Sequence, residues 1–141
     1  MNPLVLEWVQ KAEGDFEAMQ QLARVRNRPS VLDGVCFHAQ QCAEKYFKAR
    51  LQESGEMIPK THDLIGLLEL LLPSEPMLEP LRPALFSLNR YAVDFRYPGY
   101  FATRKEAREA VAGCKKVRAA LRETLGLEGQ AKLRKQRRSK R

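Results

Sequence analysis

Between Gly34 and Gly55 the chain carries neither proline nor glycine, and this run limits the fold more than any other stretch. With Ser30 as a cap and Asp33 three residues on, it predicts one helix from Ser30 to Glu53. At 100° per residue, Val35, Ala39, Cys42, Tyr46 and Ala49 fall on one face, and His38, Gln41, Lys45 and Lys48 form a polar stripe beside it. Phe37, Phe47 and Leu51 point away from both. A helix with large apolar side chains outside its main arc is covered on more than one side, by its own bundle or by a second subunit. It is therefore expected at the centre of the fold.

The rest of the chain supplies helices to surround it. Asn2 and Pro3 are a cap and a first-turn proline, and Leu4, Trp8, Ala12, Phe16, Met19 and Ala23 then recur at helical spacing over residues 3 to 25. Asp15 falls on the side of that helix that carries Trp8, Ala12 and Met19, where a carboxylate without a partner is costly. The basic connector Arg26 to Pro29 is too short for anything but an antiparallel return. Thr61 is expected to cap a leucine-rich third helix from His62 to Leu72. Pro73, Pro76, Pro80 and Pro83 postpone a fourth helix to about Leu81, with Leu85, Leu88, Ala92 and Phe95 on its apolar stripe. Arg96-Tyr97-Pro98-Gly99 leaves the helix. Thr103 with Glu106 opens a fifth helix that stops at Gly126.

Nothing alternates like a strand. The expectation is an all-α, five-helix up-and-down bundle over residues 1–126, the central helix packed on the first, fourth and fifth. The chain of 141 residues suffices for one such core. Residues 127–141 lack apolar periodicity and are expected to be a disordered tail.

Charge is unevenly placed. Of the net +8, seven positive charges belong to Lys132, Arg134, Lys135, Arg137, Arg138, Lys140 and Arg141, within the last twelve residues. Such a tail grips nucleic-acid phosphates without sequence preference, having no interleaved aromatics for stacking, or it serves only solubility. Cys36, Cys42 and Cys114 form no C-x-x-C pair, and two histidines are too few for a zinc site, so no metal and no cofactor is expected. They read as reduced core thiols of a soluble, cytoplasmic protein that has neither a signal peptide nor a membrane span.

A ligand site is suggested by His38, Gln41, Lys45 and Lys48 together with Arg90, Asp94, Arg96 and Tyr97 from the fourth helix and the loop after it. Cations with hydrogen-bonding side chains suit a phosphate-bearing nucleotide. The competing reading makes the lysines a solvated face, sets His38 against Asp15, and treats Arg96-Tyr97-Pro98 as a structural corner. His62 reads as a helix-start residue.

Four segments in order carry a family resemblance: Trp8…Ala12…Asp15, then Phe37-x-Ala39-x-Gln41-x-x-Glu44-Lys45-x-x-Lys48-Ala49, then Thr61-His62-Asp63-Leu64, then Tyr91…Arg96-Tyr97-Pro98. Together they resemble the HEPN family, named for higher eukaryote and prokaryote nucleotide-binding, over about residues 4 to 125. The resemblance implies a helical bundle, a homodimer, nucleotide or RNA as ligand, and a small nucleotidyltransferase as partner in a toxin–antitoxin-like pair. The family's ribonuclease branch carries an arginine followed four to six residues later by histidine. Here Arg28 precedes His38 by ten positions and Arg50 precedes His62 by twelve, so that motif is absent. RNA cleavage without a metal needs a proton-transfer group beside a cation. A binding or interaction module is therefore preferred to a metal-independent ribonuclease with a non-standard site.

Overall fold

Pro29 sets the entry of the central helix, because its ring presets the backbone dihedral and a first-turn residue needs no amide partner. In the computed structural model, which describes residues 1–25, 28–92 and 98–127, helix α2 runs Pro29–Glu53. The expected Ser30 capping box does not form. Ser30 lies inside the first turn, and the Asp33 carboxylate instead accepts the amide of Ala102 at 2.6 Å. The distant partner wins because Ala102 is buried and its N–H would otherwise have no acceptor.

Around α2 stand α1 (Pro3–Ala23), α3 (Leu64–Leu71), α4 (Arg82–Asn89) and α5 (Arg104–Thr124). The first, fourth and fifth helices all touch α2, as expected, and α3 joins them; α1 and α5 share the largest contacts with it and α4 the smallest. Phe47 and Leu51 are fully buried, so the rest of the subunit covers the sides of α2 that its main apolar arc leaves out. Phe37 is half-buried and meets the His38 ring edge-on at 5.3 Å.

Helix α1 starts as its sequence dictates, with Asn2 accepting the Leu4 amide at 2.8 Å. It crosses α2 closely at Gly34, where a Cβ would come 3.0 Å from Leu22 Cδ1. It is clamped to α5 by charge. Arg118 donates to both oxygens of Glu13, at 2.6 and 2.8 Å, and Arg122 reaches Glu13 and the Tyr46 hydroxyl at 3.3 and 3.1 Å.

Helix α3 is shorter than the expected His62–Leu72 and is capped by Asp63 rather than Thr61. The Asp63 carboxylate accepts the Ile65 amide at 3.1 Å, while Asn89 of α4 accepts the Leu64 amide at 2.8 Å and donates to Asp63 at 2.9 Å. Aspartate caps better than threonine, and Asn89 satisfies a second first-turn donor. The proline-spaced connector is a 3-10 turn, Pro76–Leu81, and a second one, Arg90–Ala92, follows α4. The Thr103–Glu106 capping box of α5 forms as expected, and Gly126 closes the segment with a φ of 76°.

Among the described residues there is no strand, and no buried side-chain nitrogen or oxygen lacks a hydrogen-bond partner. No described helix is long and apolar enough to cross a membrane. Asp94, Phe95, Arg96, Tyr97 and the basic tail lie outside the described residues.

Candidate functional site

The polar stripe of α2 is built around two carboxylates. Asp15, buried on α1, accepts the His38 Nδ1 at 2.8 Å on one oxygen and the Lys45 ammonium at 2.5 Å on the other. Burial acts to raise the pKa of Asp15, but the hydrogen bonds from His38 and Lys45 outweigh it and hold the carboxyl below its ordinary value. The partner that Asp15 requires on an apolar helix face is thus supplied twice by α2.

Three and four residues along the same helix the pattern repeats. Glu44, 4% exposed, receives Lys48 at 3.1 Å, Gln40 at 3.1 Å and the Nδ1 of His62 at 2.8 Å. Gln41 donates in turn to Gln40 at 2.7 Å, and the Lys48 ammonium lies 5.8 Å from the centre of the Trp8 ring. Lys48 is itself buried. Two acids therefore balance two lysines and hold both histidines, so a phosphate entering here competes with an existing partner for each ammonium.

The outward rim of this network is accessible. His38 and Lys45 are about a quarter exposed, Gln41 is half-buried and His62 is largely exposed, so part of each side chain stays accessible beside a satisfied interior. Sequence reasoning names Glu44 only within the family pattern and not among the candidate ligand residues; its local signal is the spacing of four to both Gln40 and Lys48.

Arg90 belongs to another cluster. Its guanidinium bonds Tyr100 at 2.8 Å and Glu106 at 2.6 Å and lies over the rings of Tyr91 and Tyr100, so its contacts tie the start of α5 to the turn after α4. The structure thus brings His38, Gln41, Lys45 and Lys48 together through Asp15 and Glu44, and gives Arg90 different partners. The described residues contain no group of His, Cys, Asp or Glu able to hold a metal ion.

The model of the HEPN domain matches residues 5–124. The chain belongs to the HEPN domain family. HEPN domains are nucleotide- and RNA-related modules that commonly dimerise. Among solved structures, this HEPN chain is similar to the crystal structure of TT1696 from Thermus thermophilus, at 24% identity and a TM-score of 0.73, over 84% of this chain and 96% of that one. That likeness establishes the shared fold. A comparison with the curated proteins found no match.

Proposed function

We propose that this HEPN domain is a nucleotide- or nucleic-acid-binding interaction module, a homodimer working beside a small nucleotidyltransferase in a toxin–antitoxin-like pair. The observation that supports binding over cleavage is the placement of its two histidines. Neither His38 nor His62 follows an arginine at the spacing of the family's ribonuclease branch. In this reading the accessible rim formed by His38, Gln41 and Lys45 faces the ligand or partner; Asp15 holds His38 and Lys45 in place, and Glu44 holds Gln41 through Gln40.

One contact supports a second reading, a ribonuclease with a non-standard site. His62 is 65% exposed, its Nδ1 is fixed by the buried Glu44, and Lys48 stands on the same carboxylate. An imidazole oriented by a carboxylate beside a cation is equipped for proton transfer.

Equilibrium dialysis with ATP and GTP, and fluorescence polarisation with a short single-stranded RNA, test the first reading. Saturable binding of at least one probe, with RNA left intact in the presence of a chelator, is expected. Absence of all binding would overturn it. RNA cleavage that survives chelation and disappears in His62→Ala would establish the ribonuclease instead.

A further inference from the structure

Arginines in the body of the bundle are matched to acids: Arg50 to Glu75, Arg82 to Glu69 and Glu79, Arg90 to Glu106, and Arg118 and Arg122 to Glu13. Among the described residues, four carry no such pairing, Arg24, Arg28, Arg104 and Arg108. All four sit at one end of the molecule, where α1 turns into α2 and α5 begins. Acids on those same turns are already engaged: Asp33 by the Ala102 amide, Glu106 by Arg90 and Tyr100, and Glu109 by Lys105.

This end also holds a groove of about 570 Å³ between the end of α1 and the first turns of α2 and α5. Leu32, Val35, Ala107 and Val111 line it with aliphatic surface, and Arg104 and Arg108, one helical turn apart and both exposed, stand at its edge. Its volume lies in the range of about 300 to 1,000 Å³ typical of small-ligand sites. Two like charges one turn apart weaken a helix, and among the described residues no acid pairs with either arginine to relieve the repulsion. An anion supplied from outside would relieve it.

We infer that this groove is a phosphate site for a nucleotide unit, with the base on the aliphatic lining and the phosphate on the guanidiniums of Arg104 and Arg108. The planar fork of arginine suits bidentate contact with phosphate, and an aliphatic wall accepts the face of a base. The site is distinct from the α2 stripe, whose lysines are neutralised within the chain. The inference rests on the nucleotide-binding reading above, and the ligand it names is shared by a free nucleotide and by one unit of single-stranded RNA.

The test uses the full chain, with AMP in equilibrium dialysis and a labelled oligoadenylate in polarisation at raised salt, where the basic C-terminal residues contribute least. Arg104→Glu/Arg108→Glu is compared with Lys60→Glu/Lys116→Glu, which makes the same change in net charge on exposed residues away from the groove. All four positions are exposed, and circular dichroism checks that both variants fold. Loss of affinity by about tenfold or more in the arginine variant, with the lysine variant near wild type, is expected. Loss for AMP identifies a free-nucleotide site, and loss for the oligoadenylate alone identifies an RNA site. Equal weakening by both variants, or wild-type affinity in the arginine variant, overturns the groove and leaves the nucleotide-binding reading standing. If wild-type protein binds neither probe, the groove assignment fails; if ATP, GTP and the single-stranded RNA also fail to bind, the nucleotide-binding reading fails with it.

Discussion

Asp15 joins α1 to α2 through a charge that is buried and doubly satisfied. Replacing it with asparagine leaves Lys45 without its counter-ion, at a cost of about 1–3 kcal/mol at neutral pH. The pH dependence follows from the direction of its shift. A carboxyl whose folded pKa is lowered stabilises the fold above its ordinary pKa, and loses that contribution as pH falls through the folded value. Urea denaturation of wild type and Asp15→Asn should therefore show a gap that is full at neutral pH and closes in acid; a gap independent of pH would remove the charge from the explanation. The cysteines make a second prediction at this scale. Cys36, Cys42 and Cys114 are buried and free, and burial above all pushes the Cys36 thiol up to about 12. A thiol-specific reagent should label none of them in the folded protein and all three in denaturant, because the thiolate is the reactive form.

At the scale of the element, α5 depends on two kinds of start signal. The Thr103–Glu106 box satisfies its first-turn amides locally, and Thr103→Ala should cost about 1 kcal/mol in thermal or denaturant unfolding. Asp33 secures the residue just before that box from across the bundle. Asp33→Ala strands the buried Ala102 amide and is expected to cost about 1–3 kcal/mol, whereas Asp33→Asn keeps an acceptor oxygen and loses less. Equal losses in the two variants would show that the acceptor is not what matters. The α1–α5 clamp follows the same logic: Glu13 answers two arginines, so its replacement by glutamine should weaken the fold more than replacement of any exposed acid.

For the whole molecule, the proposed homodimer predicts light scattering at twice the 16.2 kDa chain mass, and a monomer at tens of micromolar would refute it. Deleting residues 130–141 removes seven of the eight net positive charges, so nonspecific nucleic-acid binding should lose most of its salt dependence. Helical periodicity by itself determined the all-α class, the central place of α2, the Thr103 cap and the need of Asp15 for a partner, with His38 among the candidates. Those features depend on residues within about four positions of one another along a helix, a spacing that fixes which side chains share a face. Only the tertiary structure decided that Asp33 abandons its own helix for Ala102, that Asp63 and Asn89 together start α3, and that Glu44 joins His62 to Lys48. It also decided which arginines find acids and which remain at the α1–α2–α5 groove. Lys48–Glu44, Arg82–Glu79 and Lys105–Glu109 are three or four positions apart and legible from spacing, but the other pairs join residues far apart in the chain that meet only after the helices pack, and no local pattern encodes which acid will be near.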